Sequence, residues 1–310
     1  MPDRLPRIVA RLEPELGAAE GEPQPLEGGI TNRNFRVRLG GADWVIRLPG
    51  RDTALLGIDR EVERDATAAA ATAGVGPRVG AFLADEGCLV TEFIAGEPIS
   101  GDALREPRTL AQVTAALRAV HTGPDLRTRF NSFRLVEGYR ATALQRGAEV
   151  PADYDAAHEI ARRIEGAMTG PEHAPVPCHN DLLIANFLDD GARIRILDWE
   201  YAGMGDRYFD LANLSVNNGF SIEDDERLLV AYFEEPCPAG RLASVRLMRT
   251  MSDFREAMWG VVQSAISSIG FDFRGYAAEH FARLRAAAAD PAFTTWLKEA
   301  AAHGDRPHPA

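Results

Sequence analysis

The chain has 310 residues, 45% of them hydrophobic, with a formal net charge of -12, a length that suits two lobes around a buried core. So acidic a surface repels the phosphates of nucleic acid, which excludes nucleic acid as an expected partner. Cys88, Cys178 and Cys237 show neither metal-ligand spacing nor a disulfide framework, the chain opens without a signal peptide's apolar core, and no apolar run is long enough to span a bilayer, so a cytoplasmic protein with reduced thiols and no membrane span is expected.

Residues 6–16 alternate apolar and charged at helical spacing and predict a helix. Residues 21–25 are polar and proline-containing and read as a connector. Two strands follow, with Gly28 and Gly29 near their turn and Phe35, Val37 and Leu39 alternating along the second. Gly40-Gly41 predicts a hairpin turn, with residues 44–48 returning as a third strand. A glycine-rich strand–turn–strand lets backbone N–H groups approach phosphate oxygens, and Thr31, Asn32 and Asn34 could add hydrogen bonds. Residue by residue, a plain hairpin with turn glycines explains them equally well. Arg47 is more telling, because an arginine between Ile46 and Leu48 in a buried-looking strand is costly unless it meets an anion. Residues 54–73 predict a loop and an alanine-rich helix that carries Glu61 and Glu63 and ends at Gly74. Residues 79–83 and 88–94 predict two more strands, the second released by Gly96.

Residues 109–121 predict an amphipathic helix with Leu110, Val113, Leu117 and Val120 on one face and His121 packed at its end. Helices over 131–145 and 153–168 lead through Pro175 and Pro177 to the stretch CHNDLLIANFLDDGARIRILD, residues 178–198. This stretch opens as a short loop with His179, Asp181 and Asn186. Its apolar run at Ile194, Ile196 and Leu197 then reads as a strand that delivers Asp198. Phosphoryl transfer needs such a set: one carboxylate to take a hydroxyl proton, and an asparagine and a second carboxylate to hold Mg²⁺ on nucleotide phosphates. His179 reads as orienting the loop from beneath. Beyond Asp198, Gly203 and Gly205 predict a flexible segment, Asp210 opens a helix and ties the catalytic loop to it, and residues 222–233 and 241–268 read as helices. The tail, 303–310, reads as disordered, with histidines short of metal-ligand geometry.

HND with an Asn five positions after its Asp, then an Asp closing the next strand, resembles the catalytic and metal-binding loops of the protein-kinase-like phosphotransferases. GGITNRNFRV, residues 28–37, and WGVVQSAISSIGFDFRGYA, residues 259–277, are similar to the choline/ethanolamine kinase family, and the match runs in the family's order from about Leu26 to His280. An isolated HxD is most often a surface loop with capping acids, but four ordered motifs put the enzyme reading ahead. The resemblance implies an α+β, protein-kinase-like bilobal fold. A small antiparallel β-sheet lobe would occupy residues 1–95, and a mostly helical lobe residues 96–302. It further implies Asp181 as catalytic base, Asn186 and Asp198 as Mg²⁺ ligands, and Arg47 paired with Glu63 on the phosphates of ATP, where protein kinases use lysine. The loop from Gly28 to Asn34 would cover the nucleotide. The main-chain groups of Glu92 and Ile94 would meet the adenine edge.

A quaternary ammonium cannot donate conventional hydrogen bonds, so proteins hold it with aromatic faces and diffuse negative charge. Positions matching the family's aromatic pocket keep Tyr201, Trp259 and Tyr276. Glu256 stands where the family often has a second tryptophan, Asn217 where it often has an acid, and Ile222 where a tyrosine is usual. The resemblance thus implies an ATP- and Mg²⁺-dependent kinase for a small cationic amino alcohol, choline favoured over ethanolamine, with Asp181 and Glu256 among the acceptor contacts. The alternatives are an aminoglycoside or other small-metabolite O-phosphotransferase of the same fold and a catalytically silent nucleotide-binding module. The joint presence of Asp181, Asn186 and Asp198 weighs against the last.

Overall fold

Period-two alternation builds the first layer. Strands β1 (Ala19–Leu26), β2 (Asn32–Leu39), β3 (Ala42–Pro49), β4 (Val79–Leu83) and β5 (Cys88–Glu92) form one antiparallel sheet in the order β1-β2-β3-β5-β4. Phe35, Val37, Leu39, Trp44, Ile46 and Leu48 are buried along β2 and β3 in one cluster with Ile8 and Leu12 of helix α1 (Arg4–Leu16). The turn between β2 and β3 places Gly40 and Gly41 at φ of 56° and 79°, the left-handed region that glycine enters without strain. The computed structural model describes residues 4–26, 32–50, 53–267 and 269–304. Gly28, Gly29 and Thr31 lie outside them.

Residues 21–25 are not a connector. They belong to β1, whose Pro25 and Leu26 pair with Phe35 and Asn34 across an irregularity between Glu20 and Gln24. β1 is an edge strand, where prolines are tolerated and main-chain pairing needs no apolar side chains.

Helix α2 (Arg60–Thr72) starts where the Asp59 side chain accepts hydrogen bonds from the N–H groups of Glu61 and Val62. Its Ala66 and Ala70, with Leu56, Ile58 and Val75, pack into the larger core rather than the sheet's own. This helix therefore joins the two lobes. Strand β6 (Glu97–Pro98) and helices α3 (Gly101–Arg105), α4 (Pro107–His121), α5 (Ser132–Gln145) and α6 (Tyr154–Ala167) follow. Next come strands β7 (Val176–Cys178), β8 (Phe187–Asp189), β9 (Ile194–Ile196) and β10 (Gly203–Gly205). Helices α7 (Arg207–Asn217), α8 (Ile222–Phe233), α9 (Ala239–Ile266), α10 (Phe273–Ala288) and α11 (Phe293–Gly304) complete a mostly helical lobe. The long α9 is buried through most of its length, with α5, α7, α10 and α11 around it. The fold is the bilobal, protein-kinase-like α+β arrangement that the resemblance implied. No helix among the described residues is long and apolar enough to cross a membrane.

Two further expectations change. Gly203–Gly205 is not a flexible segment: it pairs with β7 and is largely buried. A Cβ on Gly203 would stand 3.1 Å from the backbone nitrogen of Phe130, so glycine serves close approach here. His303 and Gly304, placed in the tail by the sequence, close α11 and are buried; residues 305–310 lie outside the described region.

Candidate active site between the lobes

β7 delivers the chain into the loop 179–186, and α7 holds that loop from below. Asp210 accepts from the N–H of His179 at 2.8 Å and of Asn180 at 2.6 Å, and Asn213 Oδ1 accepts from Leu182 N–H at 2.5 Å. His179 Nε2 donates to the Leu197 carbonyl at 2.9 Å, while its Nδ1 accepts from Asp181 N–H at 3.2 Å. One buried ring thus spans the loop and the end of the strand that follows, the orienting role read from the sequence. Asn186 Nδ2 donates to the Asp181 carbonyl at 2.9 Å, which leaves its Oδ1 as the free end of the amide. Asn180 and Asp198 have φ of 67° and 65°. Left-handed backbone in a non-glycine residue costs about 1–3 kcal/mol and persists only where its surroundings over-determine it, as functional sites do.

On the sheet side, Arg47 Nη1 lies 2.6 Å from Glu63 Oε1 and 2.5 Å from Asp198 Oδ1. Burial disfavours the guanidinium charge, but Asp198 and Glu63 outweigh it and the Arg47 pKa is raised. Arg60 continues the network to Glu63 at 2.6 Å, Glu200 at 3.1 Å and Asn32 Oδ1 at 3.1 Å, and Asn32 Nδ2 donates to Glu200 at 2.8 Å. Glu63 is thus the partner of Arg47, while Glu61 is exposed and points to Arg127. Asn32, a candidate nucleotide contact by sequence, stands behind the cleft wall in this network. Asn34 lines the cleft, with a buried Oδ1 that has no partner among the described residues. Three carboxylates, Glu63, Asp198 and Glu200, face two guanidiniums here. The excess negative charge and the hard oxygen donors Asn186 Oδ1 and Asp198 suit Mg²⁺. Burial raises the Glu200 pKa and Asp198 adds to it.

On the helical side, α9 contributes a group that sequence reasoning passed over. Arg255, 2% exposed, sets Nη1 3.2 Å from Asp181 Oδ1 and against Glu256 Oε1, with its guanidinium 4.3 Å from the Tyr201 ring centroid. Tyr276 OH donates to Glu256 Oε2 at 2.7 Å, and the Tyr276 ring meets Trp259 at 5.8 Å. The Asp181 carboxyl is pushed up to about 7, by burial first, with Arg255 pulling it down and Glu256 and Asp198 adding to the rise. Burial and then Glu256 raise the Tyr276 phenol, which keeps it a donor. Asn217 and Ile222 do not line this cleft, and Ile222 is exposed at the start of α8. The departures read at those two positions therefore do not shape the acceptor end.

The cleft these groups enclose measures about 570 Å³. Its lining takes in Arg47 and Glu63 above, Asp181, Asn186 and Asp198 below, Glu92 and Ile94 at the inter-lobe connection, and Tyr201, Glu256, Trp259 and Tyr276 at the far end. The Glu92 side chain is paired with Arg78 at 2.7 Å and Arg195 at 3.3 Å. His121, Cys178 and Asp210 also gather ligand-type atoms, but there His121 bonds Tyr232 and Asp210, Asp210 carries two backbone N–H groups, and burial raises the Cys178 thiol. That cluster is a hydrogen-bonded core.

A model of the phosphotransferase enzyme family (APH) matches residues 22–247. Haemophilus influenzae protein LicA is 29% identical over 207 residues, spanning 66% of this chain and 61% of LicA. Mouse ethanolamine kinase 2 is 27% identical over 307 residues, spanning 89% of this chain and 78% of that protein. The crystal structure of a choline/ethanolamine kinase family protein from Mesorhizobium loti is 32% identical with a TM-score of 0.81, covering 96% of this chain and 99% of the other. With its cleft and its match over most of its length, the chain belongs to the phosphotransferase enzyme family and, within it, to the choline/ethanolamine kinase family.

Proposed function

We propose that the protein transfers the γ-phosphate of ATP to the hydroxyl of a small cationic amino alcohol of the choline and ethanolamine kind. The observation that carries this reading is the convergence of Asp181, Asn186 and Asp198 on one cleft, with Arg47 above them and an aromatic, acid-bearing wall beside Asp181. Asp181 would accept or steer the proton of the acceptor hydroxyl. Arg47, already buried among carboxylates, would balance the nucleotide's phosphates, and the main chain at Glu92 and Ile94 would meet its base. Asn186 and Asp198 would hold Mg²⁺, which supplies neutralisation of phosphate charge when bound. The rest of the catalysis is positioning and charge neutralisation. Tyr201, Trp259 and Tyr276 at the acceptor end support a small amine over an aminoglycoside.

A coupled ADP-release assay with Asp181→Ala tests the reading. Turnover should vanish while ATP binding is largely retained; substantial residual turnover would remove Asp181 as the base. Trp259→Ala should raise the KM for the amine far more than the KM for ATP. Equal effects on both would reduce Trp259 to a packing residue.

A further inference from the structure

The acceptor end of the cleft holds a buried carboxylate for which phosphoryl transfer itself has no use. Glu256 is 5% exposed and stands one helical turn before Trp259, so both side chains reach the same end of the cleft. Its Oε2 accepts the Tyr276 hydroxyl at 2.7 Å, and its Oε1 meets the same Arg255 nitrogen that lies 3.2 Å from Asp181 Oδ1. A carboxylate offers about four lone-pair sites, so these two partners leave Glu256 room for another donor. Asp181 and Glu256 share one guanidinium, and with Asp181 ionised, as a base must be, the trio carries a negative charge that nothing within it balances. Uncompensated charge in a buried site is costly, and a bound cation removes the cost.

Which cation fits follows from what Glu256 can do. A quaternary ammonium keeps its charge behind methyl groups and gives a carboxylate no hydrogen bond. An ammonium with N–H groups donates directly, in a charge-assisted bond roughly twice as strong as a neutral one. Because the two carboxylates meet at one Arg255 nitrogen, a hydroxyl facing Asp181 and an ammonium facing Glu256 must be joined by a short spacer. We propose that Glu256, oriented by Tyr276 and Arg255, is the specificity-determining residue, and that it selects a vicinal amino alcohol whose nitrogen keeps at least one N–H. This rests on the kinase reading above and narrows its acceptor.

The test is a series of kcat/KM values for ethanolamine, N-methylethanolamine, N,N-dimethylethanolamine, choline and 3-amino-1-propanol. In the wild-type protein, efficiency should fall as N–H groups are lost, with a step of about tenfold or more between the dimethyl compound and choline, the scale of one hydrogen bond to a charged group. The three-carbon amine should trail ethanolamine. Glu256→Gln should raise the ethanolamine KM about tenfold to a hundredfold, well beyond its effect on the choline KM, while the KM for ATP barely moves. Choline matching or exceeding ethanolamine in the wild-type protein overturns the inference, as does an unchanged ethanolamine-to-choline ratio in Glu256→Gln. A protein that binds ATP yet releases ADP with none of the five acceptors instead overturns the kinase reading, and this inference with it.

Discussion

Arg47 Nη1 stands 2.5 Å from Asp198 Oδ1 and 2.6 Å from Glu63 Oε1, so a single guanidinium nitrogen ties helix α2 to the chain just past β9. Arginine suits this bridge because its delocalised guanidinium stays charged when buried and is more weakly hydrated than an ammonium. Arg47→Met should raise the KM for ATP about tenfold to a hundredfold, the range expected for losing a charge-assisted contact, with little change in the KM of the amine. Arg47→Lys should recover part of the loss. Steady-state kinetics with each substrate varied in turn distinguishes these outcomes, and an unchanged ATP KM in Arg47→Met would remove Arg47 from nucleotide binding.

Arg255 carries a heavier structural role. Removing one partner of a buried ion pair costs about 3–5 kcal/mol, because the remaining charges stay buried and unpaired. Arg255→Leu leaves Asp181 and Glu256 side by side without their cation, so its free energy of unfolding in urea should fall by that order. In Arg255→Leu/Glu256→Leu one of the two carboxylates is gone as well, and much of the lost stability should return. Additive losses in the double variant would mean that the two residues are not coupled through this contact.

Some of this site was legible in residue order and some was not. Asp181, Asn186 and Asp198 stand out because a loop and the strand after it bring them together locally, within 18 positions of one another. Arg47 stands out because burial makes its charge costly. Arg255 and Glu200 escape notice for the opposite reason: their partners, Asp181 and Arg60, lie 74 and 140 positions away, so only the tertiary fold pairs them. β1 escapes because an edge strand is held by its main chain and needs no apolar pattern. Gly203–Gly205 looks mobile in sequence because glycine signals freedom and close packing alike. Here the nearness of Phe130 decides for packing.

His179 makes stability depend on pH. Both ring nitrogens are engaged in the neutral form, Nε2 as donor to the Leu197 carbonyl and Nδ1 as acceptor from Asp181 N–H. Burial lowers its pKa below the ordinary value. The unfolded chain therefore takes up the proton first as pH falls. The stability linked to His179 is fully present above about pH 6.5 and is lost progressively below it, by at most about 1.4 kcal/mol per pH unit. Urea unfolding from pH 8 to pH 5 should show the advantage of the wild-type protein over His179→Gln shrinking below pH 6.5. Parallel curves would mean that His179 does not carry this dependence.

Gly80 lies at the irregularity in the β4–β5 pairing, between Val79 and Ala81, directly over the buried ring of Trp44. A Cβ there would run into Cζ3 of that ring and stand 2.6 Å from Cε3. The ring is a rigid wall of the small lobe's core, so it must move as a whole or the strand must shift. Overpacking of this kind costs about 1–3 kcal/mol. Gly80→Ala should lower the urea midpoint accordingly without changing the slope of the transition. In a Trp44→Phe background the smaller ring makes room, and the penalty for Gly80→Ala measured against Trp44→Phe alone should fall by half or more. A penalty of the same size in both backgrounds would place the strain in the backbone of β4 instead of against the indole.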